Sequence, residues 1–257
     1  ANALWNGYLA DTADLGGLPL MPLFLSCRAA VMAKTTATSA NLQADRGRRV
    51  ELQALANDYL TMAAALLEPP PPRLIAVGGL SGSGKSTLAM ALAPSVGAAP
   101  GAVVIRSDEI RKKLCGVKPL DRLGPEGYTD EVSRRVYATL MEHAEKIVRS
   151  GYAAITDAVF AKSADRDAIQ HVAAAAGVLF DGPWLEAPEP VLISRIDRRG
   201  PDVSDAGIDV IRRQLAYRLD SLRWHRLDAS GTPQQVCDGV GAIVRGQDPS
   251  LTTSARP

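Results

Sequence analysis

The chain has 257 residues, 46% of them hydrophobic and 22% charged, with a formal net charge of +1. That length and apolar content suit one α/β core with an appended segment. The balanced charge excludes a global electrostatic drive toward nucleic acid or acidic membranes. Three scattered cysteines, Cys27, Cys115 and Cys237, have neither metal-ligand spacing nor the even count of a disulfide framework, which points to a reduced, cytoplasmic protein.

From the N-terminus, the apolar run Leu18 to Ala33 is broken by Pro19, Pro22 and Arg28. It falls short of the about 20 clean residues that a bilayer requires, so it reads as a core helix and not a membrane span. Between Arg48 and Leu67 the residues Val50, Leu52, Leu55, Tyr59, Leu60, Met62, Leu66 and Leu67 recur at roughly helical spacing, with Asn41 or Asp45 as candidate caps. Four prolines at 69–72 then form a stiff extended spacer. The expected organisation is a helical segment over 1–68, the spacer, an α/β domain over 73–245 and a disordered tail over 246–257.

Beyond the spacer, apolar runs alternate with helical stretches. The runs are 73–77, 102–106, 152–157, 178–180 with a possible extension to 185, and 223–228. The helices expected between them cover 129–150, stopped by Gly151, together with 190–199 and 204–222. Short, fully apolar strands alternating with helices imply a parallel sheet covered on both faces.

The segment Gly79-Leu80-Ser81-Gly82-Ser83-Gly84-Lys85-Ser86 matches G-x-x-x-x-G-K-[ST] and sits between an apolar strand and an apolar helix over 86–93. Glycines let the backbone approach phosphate oxygens, and the N–H groups then form an anion nest at a helix N-terminus. The pattern assigns Gly79, Ser81, Gly82, Ser83, Gly84, Lys85, Ser86 and Thr87 to ATP, with Lys85 on the β- and γ-phosphates and Ser86 on Mg²⁺. The alternative for this stretch is a surface linker, which gives no reason for Lys-Ser at a strand-to-helix junction.

One carboxylate ends a strand and another follows one at the edge where open α/β sheets bind ligands. Asp157 is a candidate support for Mg²⁺, or else a turn cap. Asp108 is a candidate acceptor of a hydroxyl proton, with Arg111 one helical turn on to orient a polar or anionic acceptor; otherwise Ser107 or Asp108 caps a helix over 109–114. Arg195, Arg198 and Arg199, followed by a Gly-Pro turn, suit a lid that closes over ATP, against the alternative of solvated residues favouring a helix C-terminus. Arg212, Arg213 and Arg218 read as a solvated face, 228–233 as a turn, and Arg166 as a further candidate for the acceptor pocket.

These residues carry a resemblance. Residues 73 to about 240 resemble the predicted P-loop kinases related to zeta-toxin and chloramphenicol phosphotransferase, through GGLSGSGKST, RSDEIRKKL (106–114), AITDAVF (154–160), RIDRRGPDVSDA (195–206) and LDASGTP (227–233). Residues 4–36 are similar to the C-terminal end of the aminoglycoside-phosphotransferase-like half of bifunctional bacterial proteins. The resemblance implies a P-loop NTPase fold with a five-stranded parallel sheet in the order 2-3-1-4-5, helices on both faces and a helical segment in front. It implies ATP and Mg²⁺ as cofactors and Lys85, Asp108, Arg195 and Arg199 as the catalytic set. Asp108 and Arg111 fall to the acceptor, for which position in the sequence alone also offers Arg166, and Ser86 and Asp157 fall to the metal. The expected activity is transfer of the ATP γ-phosphate to a small-molecule hydroxyl, with the partner being a preceding domain of a longer polypeptide. The alternatives are an ATP-driven regulatory module and a polynucleotide-end kinase; 5% aromatic content and the neutral charge argue against the latter.

Overall fold

The computed structural model describes residues 1–198, 203–205, 207–217 and 222–244. Three helices come first: α1 (Asn2–Thr12), α2 (Met21–Asn41) and α3 (Arg46–Leu66). Asp45 caps α3 by accepting from the Arg48 N–H at 2.7 Å. Helices α2 and α3 form an antiparallel hairpin. Its seam is built of small residues, with Ser26, Ala29, Ala33, Thr36 and Ala40 on one helix and Ala56 and Ala63 on the other, and the Ser26 hydroxyl donates to the Ala63 carbonyl at 2.7 Å. Side chains of that size let two helix backbones approach closely. The larger apolar residues behind the sequence periodicity, Val50, Leu55, Leu60 and Met62, point outward and are exposed.

Helix α1 corrects the expected domain division, because it belongs to the α/β body. Trp5 stacks on Tyr152 with ring centroids 5.2 Å apart, and Trp5, Leu9 and Leu18 join the same core cluster as Leu74 and Ile147. The Asn6 amide lies along a strand edge: its Oδ1 accepts from the Val104 N–H at 2.7 Å and its Nδ2 donates to the Ala102 carbonyl at 3.1 Å. Asn2 Nδ2 donates to the same carbonyl at 3.2 Å. An edge strand exposes unpaired backbone groups, and these two amides occupy them as a neighbouring strand would.

The sheet comprises β1 (Arg73–Gly79), β2 (Val103–Arg106), β3 (Ala154–Asp157), β4 (Leu179–Asp181), β5 (Pro183–Glu186) and β6 (His225–Asp228), all parallel, in the order β2-β3-β1-β5-β6, with β4 also paired to β1. Strands β4 and β5 hold one register against β1, since Arg73 faces Leu179 and Gly78 faces Trp184. They are one strand position interrupted at Gly182, where a Cβ would lie 2.7 Å from the Trp224 indole. The five-position order that the resemblance implies is therefore present, with its fourth position in two pieces.

Alternate residues of β1 feed the two faces. Leu74 and Ala76 meet Leu140, Ile147 and Ile169 of α6 (Asp130–Arg149) and α7 (Ser163–Ala176); Ile75 and Val77 meet Leu88 and Val240 of α4 (Lys85–Leu92) and α10 (Pro233–Val244). Each such aliphatic side chain contributes about 1.5–3 kcal/mol on full burial. Helix α6 matches its sequence reading in the buried stripe of Val136, Leu140, Ala144 and Ile147 and in Gly151, which follows at φ 85°; the structure adds a cap from Thr129 and the acidic Asp130 and Glu131 in the first turn. Helices α5 (Ser107–Leu114), α8 (Glu189–Asp197) and α9 (Ile208–Leu215) complete the set. Helix α9 is shorter than the stretch expected over 204–222. Among the described residues, no helix is long and apolar enough to cross a membrane. The expected tail over 246–257 lies outside the described residues.

Candidate functional site: a phosphate loop opening on a deep cleft

The strands end together at one edge, and the loops beyond them enclose a cleft of about 1330 Å³. That exceeds the about 300–1,000 Å³ of an ordinary small-ligand pocket, leaving room for two ligands side by side.

The phosphate loop forms one wall. Gly82 and Gly84 adopt φ of 80° and 96°, conformations that side chains other than glycine's strongly disfavour. A Cβ on Gly82 would lie 2.7 Å from the Leu192 carbonyl, so α8 supports the loop from behind. Ser81 through Thr87 line the cleft. Gly79 does not: a Cβ there would meet the Leu185 carbonyl at 2.6 Å, and its role is the turn out of β1. Lys85 Nζ donates to the Leu80 carbonyl at 3.0 Å. The Ser81 N–H is taken at 2.8 Å by Oε1 of Gln214, a buried residue of α9 that reaches into the mouth of the loop.

Directly below lies a polar triad. Ser86 Oγ donates to Asp157 Oδ2 at 2.6 Å, Arg106 Nη2 donates to Ser86 Oγ at 3.2 Å, and Arg106 Nε stands 3.4 Å from Asp157 Oδ2. Sheet register makes this local, since Arg106 and Asp157 are partners across β2 and β3. A hydroxyl and a carboxylate held at hydrogen-bond distance fit Mg²⁺, which takes few protein oxygens and completes its shell with water and phosphate. Among the described residues no group of three metal-ligating side chains exists, so the donor set does not suit a metal caged by protein alone.

The opposite wall starts at Asp108 on the first turn of α5. That helix has no side-chain cap, so neither Ser107 nor Asp108 serves as one. Asp108 instead accepts a hydrogen bond from the Ser204 hydroxyl. Burial pushes its carboxyl above the ordinary range, with the Asp157 charge adding to the shift, while Ser204, Lys85 and Arg106 oppose it. Close by, Lys112 is 2% exposed and fully engaged: Nζ donates to the carbonyls of Pro119 (2.8 Å) and Asp121 (2.7 Å) and pairs with Asp205 Oδ1 at 3.0 Å. Asp205 also accepts from the Leu123 N–H and the Tyr128 hydroxyl. Through Ser204 and Asp205, residues 203–205 are thus fastened onto the helix that carries Asp108. Arg111 lines the cleft as well, its guanidinium 5.0 Å over the Tyr128 ring.

Not every expectation survives. Arg166 is 2% exposed, lies outside the cleft lining and donates to the carbonyls of Phe160 (2.9 Å) and Ala161 (2.8 Å); it pins the loop after β3 instead of facing an acceptor. Arg195 does line the cleft, but it is a tether: Nη2 donates to the carbonyls of Ala229 (2.7 Å) and Gly231 (3.1 Å), and Nη1 to that of Ser83 (3.4 Å). It ties the phosphate loop to the turn after β6, where the Ser230 N–H bonds the Asp228 carboxylate. Arg199 lies outside the described residues. Arg213, read as solvated, belongs to the cleft lining. Sequence reasoning missed Arg106, Lys112 and Gln214. For Arg106 the signal was available, because it ends β2 level with Asp157.

A parallel sheet in this order, with a phosphate loop after its first strand and carboxylates ending its neighbours, defines a P-loop domain of kinase-like architecture. Residues 74–223 match the family described as AAA domain, and the chain belongs to that family. Uncharacterized proteins of Mycobacterium bovis and Mycobacterium tuberculosis are 30% identical over 233 residues, an alignment covering 88% of this chain; the chain spans only 44% of the length of these relatives. Among solved structures, a gluconokinase from Sinorhizobium meliloti has a TM-score of 0.50 at 22% identity, covering 72% of this chain and 98% of that one. An APS kinase from Mycobacterium tuberculosis, in complex with AMPPNP and APS, has a TM-score of 0.51 at 20% identity, covering 68% and 99%. At these identities the likeness establishes the fold.

Proposed function

We propose that the cleft transfers the γ-phosphoryl group of ATP to a hydroxyl of a small molecule. The observation that carries this reading is the placement of Ser86 and Asp157, 2.6 Å apart, beneath the phosphate loop, in one cleft with the partly buried Asp108. The loop N–H groups and Lys85 bind and orient the triphosphate. Ser86 and Asp157 would hold Mg²⁺, which supplies charge neutralisation at the phosphates when bound. Arg106 shares the Asp157 carboxylate and fixes its orientation. Asp108 takes the proton of the acceptor hydroxyl as that oxygen bonds to the γ-phosphorus and the bond to the β-phosphate oxygen breaks, leaving ADP. A carboxyl raised by burial is a stronger proton acceptor when ionised, which suits this role. Closure of residues 203–205 over α5 keeps water from the γ-phosphate.

The hairpin of α2 and α3 is read as the junction with a preceding domain of the same polypeptide, which the greater length of the mycobacterial relatives supports. An acceptor screen with labelled ATP tests the reaction. A labelled product is expected from at least one hydroxyl compound, with Asp108→Asn abolishing transfer and sparing ATP binding. Transfer that persists in Asp108→Asn would remove Asp108 from its role. ATP binding with no acceptor found in any class would favour the regulatory reading.

A further inference from the structure

Arg106 places a fixed cation against the two oxygens that fit Mg²⁺. It is 8% exposed and stands outside the cleft lining, so its charge acts on a ligand from behind Ser86 and Asp157. Its guanidinium faces three groups. Nη2 donates to Ser86 Oγ at 3.2 Å, Nε stands 3.4 Å from Asp157 Oδ2, and Nη1 stands 3.6 Å from Glu109 Oε1. Charge-assisted N–H···O bonds close to about 2.7–2.9 Å, and neither carboxylate contact is that short. The cation is therefore shared between Asp157 and Glu109 and fully seated on neither.

This sharing sets up a competition. Asp157 Oδ2 takes the Ser86 proton at 2.6 Å and the charge of Arg106, while Ser86 Oγ gives one of its two lone pairs to Arg106. A positive charge already on both oxygens lowers what they offer a second cation, and like charges a few ångströms apart repel strongly in a partly buried site. The backbone provides the alternative seat. Register across β2 and β3 sets Arg106 beside Asp157, and Glu109 lies three residues on, in the first turn of α5 and 21% exposed. We propose that Arg106 is a placeholder cation: in the metal-free form it neutralises Asp157, and as Mg²⁺ seats on Ser86 and Asp157 it passes to Glu109. The proposal rests on the metal-assisted reading of the site. It makes Arg106 and Glu109 positioning residues that set how strongly Mg²⁺ and ATP reinforce each other.

The test is calorimetry of ATP binding to the full chain in saturating Mg²⁺ and in a chelator. The ratio of the two affinities is the factor by which Mg²⁺ strengthens ATP binding, and linkage makes it a measure of Mg²⁺ affinity at the protein-bound nucleotide. A merely structural role would lower both affinities together and leave the factor unchanged. Arg106→Met is expected to raise the factor about ten-fold, through removal of a like charge. Arg106→Gln keeps donors for Ser86 and Asp157 without the charge; it is expected to raise the factor too, and it keeps the experiment decisive if the Met variant does not fold. Glu109→Gln is expected to lower the factor about 2- to 5-fold in the wild type. In an Arg106→Gln background the same change is expected to have no effect, because it acts through Arg106. A factor unchanged or lowered in the Arg106 variants, or a Glu109→Gln effect of equal size in both backgrounds, overturns the proposal alone. A wild type whose ATP binding ignores Mg²⁺ overturns the metal-assisted reading and the proposal with it.

Discussion

Replacing Asn6 by Leu separates a helix that is built into the domain from one that merely rests on it. Asn6 makes two bonds to the free edge of β2, to the Val104 N–H at 2.7 Å and to the Ala102 carbonyl at 3.1 Å. Leucine keeps the branched shape and removes both. The Ala102 carbonyl keeps the Asn2 amide at 3.2 Å, but the Val104 N–H is left buried and unpaired. An orphaned buried donor costs about 1–3 kcal/mol, and a lost bond whose partner stays satisfied about 0.5–1.5 kcal/mol. Asn6→Leu is therefore expected to cost about 2–3 kcal/mol and Asn2→Ala about 1 kcal/mol. At roughly 2–4 °C per kcal/mol for a chain of this class, Asn6→Leu lowers Tm by about 4–12 °C. Thermal and urea unfolding of both variants provides the measurement. Equal effects within about 0.5 kcal/mol, or no effect of Asn6→Leu, would refute the claim that this amide completes the sheet edge.

Three further outcomes are expected. The Asp108 carboxyl has a raised value in the folded protein, so its ionisation costs stability that is lost as pH rises from the ordinary carboxylate range through the raised value; Asp108→Asn keeps an acceptor for Ser204, and its Tm is expected to exceed that of the wild type near neutrality, with the gap closing in acid. Lys112→Met strips Asp205 of its buried counter-charge at 3.0 Å, an expected loss of about 3–5 kcal/mol in urea unfolding, with strong coupling to Asp205→Ala; additive single effects would contradict the latch. Gln214→Ala frees the Ser81 N–H from its 2.8 Å bond, and ATP is expected to bind about 2- to 10-fold tighter; weaker binding would mean that Gln214 helps to hold the nucleotide.

Where residue type and chain geometry act together locally, the sequence is readable. The run 79–86 needs glycines for its turns and a helix immediately after it, and α4 starts at Lys85. Gly151 stops α6 as its chemistry dictates. Asp157 and Asp108 end up in one cleft because parallel strands bring their carboxyl ends to one edge. Other features depend on packing partners far along the chain. The hairpin α2–α3 buries alanines and leaves leucines outside, the reverse of what side-chain size suggests. Helix α7 ends in four alanines and α10 contains two glycines, so neither offers a strong apolar period. Nothing local distinguishes Gln214 or Lys112 from solvated residues; their neighbours lie 133 and 93 positions away. Arg166 misled because a basic residue after a catalytic-edge loop looks the same whether it faces the cleft or pins the loop.

Calorimetry of ATP binding with and without Mg²⁺, comparing the wild type with Ser86→Ala, tests most directly that the loop and the pair beneath it form a metal-assisted triphosphate site. The expected result is Mg²⁺-strengthened binding by the wild type, with the Ser86→Ala defect confined to the Mg²⁺ condition. Absence of ATP binding, or a Ser86→Ala loss that is the same without Mg²⁺, would contradict it.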